Sequence, residues 1–575
     1  MRHTILRRLY PSTKFPVARY SIARSLSTYP AQPRQASSFW PLTFAVAILG
    51  GGAWLQNKYY SPKDTPIASQ PQLIPQEKAD LHLGVIDTLA TMTTEPAPGT
   101  VGNLTPEQQI KLQEFWVLAL KVFGLTLEEL EAPQSSAASD ASTPTASQDK
   151  KKAKKGWSLF GRAEEDSPKS DSSASGAATN VAAIHVSDHD DKYGQSKEFK
   201  QALEDMKPEE IRNAFWSMVK GDNPDSLLLR FLRARKWDTK KALVMLISTM
   251  RWRLLEMHVD DDIMFHGEEL ALKQSRGSDA KEKKKGDDFL TQIRLGKSFL
   301  HGVDRAGRPI CVVRVRLHKA GDQNNEGLER FTVWTIETAR LLLAPPVETA
   351  TIVFDMTDFG LANMDYAPVK FMIKCFEANY PESLGTVLIH KAPWLFSSSH
   401  PCPLPPSTSS FLIPHTGIWN VIKGWLDPVV AAKIHFTKNR QDLEKFIHPS
   451  QILKELEGDE DWEYKYVEVP ENENPKQADR ETRDRLMAER QELAKKIQDV
   501  TIEWIRASFR KETDAVSAAE EKRKKLVEEL RAHYWVLDPY VRARSFYDRT
   551  DILQGGGKIN FYPDSEKNGA EGASA

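Results

Sequence analysis

The most regular hydrophobic patterning lies between residues 290 and 450, where two periodicities alternate. Short apolar runs rich in β-branched residues predict buried strands at Pro309–Leu317, Ala350–Asp355, Thr386–Lys391 and Lys433–Phe436. Between the strands, apolar residues spaced by three, four and seven positions predict one helix over 327–343 and another that contains Val369 and Phe376. Strands separated by helices predict βαβ units and a mainly parallel sheet of the α/β class.

Helical patterning dominates both sides of this region. Thr105 and Pro106 provide a cap and a first helical residue for a small helical element over 101–131. Residues 196–257 contain two capped segments with an apolar face and are predicted to form a helical subdomain. The charged segment 268–288 is predicted to be an exposed loop, and residues 476–563 a charged, helical C-terminal extension.

Two segments differ in composition from the rest of the chain. Residues 132–192 are rich in Ser, Ala, Asp, Lys and Gly, and they bury too little apolar surface to offset the entropy of ordering. We therefore predict a disordered linker there. Residues 397–416 contain six Ser, five Pro and no charged Asp, Glu, Lys or Arg. This composition suggests an insertion, or a retained intron or gene-model error.

The first 63 residues contain nine Lys or Arg residues and no Asp or Glu. Residues 1–38 therefore read as a mitochondrial targeting segment. The apolar run 39–55 that follows has 17 residues, the lower limit for a transmembrane helix. The alternative is a working protein that begins near Met92, which would be cytosolic and peripheral to membranes.

Overall composition excludes several classes of protein. Lys and Arg total 78 and Asp and Glu total 79, a balance that argues against a nucleic-acid-binding protein. Three cysteines are too few for a disulfide framework, and no His/Cys spacing suits zinc. The sequence has no G-x-S-x-G motif, and Leu295–Ser298 lacks the first glycine of a phosphate-binding loop. We therefore predict a protein that is not an enzyme and that uses no metal or cofactor.

Three motifs in the central region carry a family resemblance. They are LLLRFLRARKWD at 227–238, NYPE at 379–382 and WLDPVVAAKIHF at 425–436. In this order, they resemble the CRAL-TRIO lipid-binding family, and in particular its fungal phosphatidylinositol-transfer branch. The resemblance implies that residues 196–257 are the N-terminal helical subdomain. It also implies that residues 290–450 form a lipid-binding domain, in which helices and a sheet enclose an apolar pocket.

The resemblance also implies a set of site residues. The phosphoinositol head group would contact Glu382, Asp427 and Lys433, flanked by Arg235 and Lys236. A lid helix over 418–426 would cover the pocket with the apolar side chains of Ile418, Trp419, Ile422, Trp425 and Leu426. Branches that also transfer phosphatidylcholine have hydroxyl side chains where this chain has Asn363, Met364 and Asp365, which disfavours that lipid.

These observations predict non-enzymatic binding and transfer of a phospholipid between membranes, with phosphatidylinositol as the expected ligand. The expected partners are the membrane surface and, by family analogy, a lipid kinase. One alternative is a membrane-anchored tether or scaffold that uses the N-terminal span and the C-terminal helices. Another keeps the pocket but fills it with a sterol, squalene or haem.

Overall fold

The computed structural model describes residues 96–125, 184, 191–393, 396 and 417–563. The predicted targeting segment 1–38, the apolar run 39–55 and the insertion 397–416 lie outside the described residues, as does nearly all of the linker 132–192. Within the described ranges, no helix is both long enough and apolar enough to cross a membrane.

The N-terminal half of the described chain is helical up to the first strand. The α-helices are α1 Pro106–Val122, α2 Gln195–Asp205, α3 Pro208–Val219, α4 Pro224–Ala234, α5 Thr239–Arg251, α6 Phe265–Ser275 and α7 Ala280–Arg294. Two π-helical segments, Trp252–Glu256 and Val259–Met264, connect α5 to α6.

Strands and helices alternate in the central region. The strands are β1 Ser298–Val303, β2 Pro309–Arg314, β3 Ala350–Asp355, β4 Leu384–His390 and β5 Ile434–Thr437. The helices are α8 Asn325–Leu341, α9 Tyr366–Lys374 (continued by the π-helical segment Cys375–Asn379), α10 Ile418–Lys423, α11 Pro428–Ala432 and α12 Arg440–Leu443. The C-terminal region forms α13 Arg480–Arg510, α14 Thr513–Val541 and α15 Phe546–Arg549.

The five strands form one sheet in the order β1-β2-β3-β4-β5. Strand β1 is antiparallel to β2, while β2, β3, β4 and β5 are parallel to one another. Parallel neighbours require crossover connections, and α8 and α9 with its π-helical continuation provide two of them. This mixed sheet with flanking helices confirms the predicted α/β fold, and the helical C-terminal region is also as predicted.

The prediction of an exposed loop at 268–288 is wrong, because all but the connecting turn 276–279 belongs to α6 and α7. Lys, Glu and Ala favour helix, and the few apolar residues are enough to bury one face of each helix. Ala271, Leu272, Phe289 and Leu290 are all buried. A Cβ atom on Gly286 would lie 2.3 Å from the backbone oxygen of Ala271, so glycine allows α6 and α7 to approach closely.

The C-terminal region packs on both the helical subdomain and the sheet. In the helical subdomain, Asp225 on α4 accepts hydrogen bonds from Trp116 on α1 and from Arg523 on α14, each at 2.7 Å. At the outer edge of the sheet, the backbone N–H of Leu300 donates to the Tyr547 hydroxyl at 2.8 Å. The N–H of Val303 on the same strand donates to Gln451 at 3.0 Å. Side chains therefore satisfy backbone donors of the edge strand β1.

Candidate functional site

A large apolar cavity lies between one face of the sheet and the helices that cover it. It contains about 2060 Å³ of empty space, part of which is open to solvent. Its walls come from α8, α9 and the segment 418–426, which we call the lid segment. The lining is almost entirely aliphatic and aromatic, the chemistry expected of a site for an apolar ligand.

The floor of the cavity follows from strand register. Side chains alternate between the two faces of a sheet, so aligned positions on neighbouring strands form rows on one face. One row is Cys311, Ile352, Val387 and Ile434, and the next is Val313, Phe354, Ile389 and Phe436. Every member of both rows lines the cavity.

The opposite face of the sheet is covered by other side chains of the protein. Val312, Val353 and Leu388, one position away from the first row, are buried in a second apolar cluster. That cluster includes Leu443, Ile447 and Leu456, which follow β5 in the chain. The β-branched runs of the sequence are therefore buried on both sides, but only one side faces a cavity.

The lid segment forms a shorter helix than the sequence suggests. Helix α10 ends at Lys423, and the following turn carries the chain to Leu426. Ile418, Trp419, Ile422 and Leu426 line the cavity. The predicted fifth member, Trp425, instead packs its ring edge-on against Tyr366 on α9, with 5.3 Å between ring centroids.

Two of the predicted head-group residues contact each other directly. Lys433 Nζ lies 3.2 Å from Glu382 Oε2, and both side chains are about one quarter exposed. Lys433 immediately precedes β5, and Glu382 lies two residues before β4, so the pair sits at the amino-terminal edge of the parallel strands. Their chain neighbours Ile434 and Ser383 line the cavity. A charged pair accessible to solvent therefore borders the apolar cavity.

The third predicted acid has a different local role. The Asp427 carboxylate caps α11 by accepting from the Val429 N–H at 2.8 Å. Its own backbone N–H donates to Glu377 Oε1 at 2.6 Å. Asp427 therefore holds the end of the lid segment, and within the described part of the chain no hydrogen bond or ion pair joins it to Lys433.

One member of the basic pair of the helical subdomain is linked through Gln195 to the chain next to the NYPE motif. Arg235 donates to Gln195 at 2.7 Å, and Gln195 donates to the carbonyl of Ala378 at 3.2 Å. Arg235 is thereby connected to the residue that precedes Asn379, the first residue of the motif. Lys236 is exposed.

Sequence reasoning missed a polar cluster that ties the lid segment to Glu377 and to the residues just before α2. Glu377 accepts from Asp427 through one oxygen, and from Lys192 and the Tyr193 hydroxyl through the other, at 2.6 and 2.7 Å. Lys192 also donates to the Trp425 carbonyl. Burial, followed by the hydrogen bond to Glu377, raises the pKa of Tyr193. The acid at 377, two residues before NYPE, was the available sequence signal.

A buried charge network supports the wall of the cavity. Glu337 on α8 is fully buried and pairs with Arg253 at 2.6 Å, Arg340 at 3.1 Å and Lys220 at 3.4 Å. It also accepts from the Tyr380 hydroxyl of NYPE at 2.8 Å. Burial alone would raise the pKa of Glu337, but the three cations outweigh it and hold that pKa well below 4.5.

Comparison with known proteins agrees with this architecture. The family model described as CRAL/TRIO domain matches residues 293–400 and 415–458, and the model described as CRAL/TRIO, N-terminal domain matches residues 195–248. The interruption at 401–414 falls within the segment predicted to be an insertion.

Relatives extend the similarity beyond these two regions. A CRAL-TRIO domain-containing protein of Schizosaccharomyces pombe is 40% identical over 460 residues, which cover 79% of this chain and 92% of that protein. Phosphatidylinositol transfer protein CSR1 of Eremothecium gossypii is 39% identical over 475 residues, or 80% of this chain and 100% of that protein. Sec14 cytosolic factor of S. pombe is 28% identical over 250 residues, or 41% of this chain and 71% of that protein. The chain therefore belongs to the CRAL-TRIO family.

Proposed function

We propose that this protein binds one phosphatidylinositol molecule and carries it between membranes without changing it chemically. The observation that carries the proposal is the Lys433–Glu382 pair at the border of a large apolar cavity. The name of the relative CSR1 as a phosphatidylinositol transfer protein supports the choice of lipid. The phospholipid is the cargo of this transfer, and the protein acts as a carrier rather than an enzyme.

The charged pair suits the chemistry of the head group. An ammonium ion is a compact charge that can pair with the phosphodiester. When the phosphodiester forms an ion pair with Lys433, the Glu382 carboxylate becomes free to accept hydrogen bonds from inositol hydroxyls. In the empty protein the two side chains neutralise each other, so neither charge is left unpaired beside the cavity. By the family resemblance, Arg235 and Lys236 would flank the head group and add positive potential there.

Entry of the acyl chains requires the lid segment to move. Its cavity-facing side is apolar, so an opened lid would present Ile418, Trp419 and Ile422 to the membrane interface. At its C-terminal end, Glu377 and Lys192 hold the lid segment to the rest of the domain. We propose that contact with a membrane surface favours the open arrangement, and that the closed one shields the acyl chains in water. Presentation of the bound lipid to a lipid kinase rests on family analogy.

The site of action follows from which start of the chain is used. If residues 1–63 direct import, the protein would act at a mitochondrial membrane. A chain that starts near Met92 would be cytosolic and would bind membranes peripherally. Fluorescent fusions that begin at Met1 and at Met92, compared by microscopy, separate the two.

The test is transfer of radiolabelled phosphatidylinositol from donor to acceptor vesicles by the purified full chain. We expect Lys433→Ala to reduce the transfer rate at least about tenfold, because a charge-assisted contact contributes roughly 1.5–3 kcal/mol. Lys438→Ala, at an exposed lysine five residues away, is the matched control and should transfer at the wild-type rate. Equal rates for the two variants would overturn the head-group assignment. A wild-type protein that transfers no phosphatidylinositol would overturn the function.

A further inference from the structure

A second polar group borders the cavity at the end opposite the Lys433–Glu382 pair. Lys297 immediately precedes β1, and β1 runs antiparallel to β2, so Lys297 lies level with the carboxyl ends of the parallel strands. The N–H of Arg314, at the end of β2, donates to the Lys297 carbonyl at 2.8 Å. The length of β3 separates this end from the Lys433 end by about 17 Å. Lys297, Ser298 and His318 all line the cavity.

Lys297 belongs to a chain of polar contacts. Its Nζ atom lies 3.3 Å from His318 Nδ1 and 3.1 Å from Gln323 Oε1, and His318 Nε2 lies 3.2 Å from Asp365 Oδ2. The ammonium ion can only donate, so Nδ1 accepts and the ring proton is on Nε2, facing Asp365. These contacts use two of the three ammonium protons. Within the part of the chain that the structure describes, Nζ has no third hydrogen-bond partner, which leaves one proton for a ligand.

The cation lacks a direct counter-ion. Lys297 is 6% exposed, and within the described ranges no carboxylate lies within ion-pair distance of its Nζ atom. Asp365 lies beyond the imidazole ring. Burial lowers the pKa of Lys297 to about 8, with an opposing effect from Asp322, so the group is still mainly protonated at neutral pH. Burial and the neighbouring Lys297 charge lower the pKa of His318, which keeps the imidazole neutral.

A buried cation without a counter-ion is costly, and an anionic ligand would reduce that cost. We propose that Lys297 binds the carboxylate of a long-chain fatty acid whose alkyl chain occupies the apolar cavity. The hydroxyl of Ser298, which also lines the cavity, supplies a second donor. The bound fatty acid would lie in the opposite sense to phosphatidylinositol, with its charged group at the inner end.

The local residues favour a carboxylate over a phosphocholine group. A quaternary ammonium at this end would approach the charge of Lys297. The amide of Asn363, where other branches have a hydroxyl, donates to the carbonyls of Arg316 and His318 and so supports the loop that carries His318. The inference shares one assumption with the proposed function, which is that the cavity binds lipid chains. Both ligands would fill that cavity, so oleate and phosphatidylinositol should compete.

The experiment measures binding of oleate and of oleyl alcohol to the delipidated full chain. The two probes share a chain and differ in charge. We expect wild type to bind oleate at least about tenfold more tightly than the alcohol, which is ~1.4 kcal/mol. Lys297→Met should bring the two affinities together, because it keeps an unbranched side chain and removes the charge. Lys465→Met, at a side chain that is 80% exposed, should leave the ratio as in wild type.

Two results would overturn the proposal: equal affinities for the two probes in wild type, or a ratio that Lys297→Met leaves unchanged. The ratio of oleate to oleyl alcohol affinity in wild type tests the proposal without any variant. It therefore stands even if Lys297→Met fails to fold, which circular dichroism would reveal. Phosphatidylinositol uptake is measured on the same preparations. A protein that prefers oleate but takes up no phosphatidylinositol contradicts the transfer function alone, whereas the reverse pattern contradicts only the carboxylate site.

Discussion

The buried network around Glu337 gives a prediction whose magnitude can be worked from the structure. Glu337→Gln removes one of the two carboxylates that compensate Arg253, whose side chain is 1% exposed. Asp260 stays as a partner of both Arg253 and Lys220, but its side chain is 29% exposed. Loss of one member of a buried ion pair costs about 3–5 kcal/mol when the other charge is left without compensation. Because Asp260 still compensates part of the charge, the lower end, about 3 kcal/mol, applies here. We expect a loss of that size in the free energy of unfolding.

Equilibrium urea unfolding of the full chain, followed by circular dichroism, measures this loss. The control is Glu468→Gln, which breaks a pair with Arg294 at 2.7 Å in which the acid is 57% exposed. Exposed pairs contribute about 0–1 kcal/mol, so this variant should unfold close to wild type. If Glu337→Gln costs no more than Glu468→Gln, the network does not stabilise the cavity wall and the reasoning is refuted.

The same network predicts a pH dependence with a definite sign. The pKa of Glu337 lies well below 4.5 in the folded protein and returns to its ordinary value on unfolding. The ionised acid therefore contributes its full stabilisation above pH 4.5, and this contribution is lost as the pH falls below that value. Wild type should lose stability in acid more steeply than Glu337→Gln, which has no acid to titrate. Thermal unfolding at pH 7, 5 and 3.5 checks the slope.

Three further predictions concern the cavity and its surroundings. Glu377→Gln weakens the contacts to Asp427, Lys192 and Tyr193, so bound lipid should leave faster in a stopped-flow release assay; an unchanged rate would mean that this cluster does not restrain the lid. Val387→Trp places a large ring in the middle of the cavity floor and should lower the lipid stoichiometry seen by native mass spectrometry, whereas full occupancy would show that the lipid lies elsewhere. Gly286→Ala should destabilise the protein by about 1–3 kcal/mol in urea unfolding, because backbone atoms of α6 occupy the position of the new methyl group; a neutral effect would mean that the two helices separate easily.

Much of the sheet could be predicted because its strands are short, β-branched and bounded by turns. Ala350–Asp355 was predicted with the bounds that the structure has. The helices α6 and α7 were missed because charged side chains dominate their sequence and hide a narrow apolar face. Periodicity reports the average character of a segment, so a helix that buries only a few residues gives a weak signal.

In the candidate site, too, some contacts could be predicted from the sequence and others could not. The proximity of Glu382 and Lys433 followed from the family resemblance, and the structure places them 3.2 Å apart. The Glu377 cluster joins residues more than 180 positions apart in the chain. The acid next to NYPE marks one member of the cluster, but a single sequence does not indicate its partners. Lys297 lies in the Leu295–Ser298 segment, which was rejected as a phosphate-binding loop, and no motif linked it to His318.

The side chains that cover the outer edge of β1 determine how far the protein can be shortened without aggregation. An uncovered edge strand offers unpaired N–H and C=O groups to other chains and promotes aggregation. Tyr547 and Gln451 occupy two such donors, and Tyr547 belongs to the C-terminal region. A shortened protein that ends before α13 would keep the residues that line the cavity and would keep Gln451, but it would lose Tyr547 and expose the N–H of Leu300. The C-terminal region thus protects the protein against self-association. Lipid-binding experiments on a minimal domain would be compromised by aggregation rather than by loss of the site.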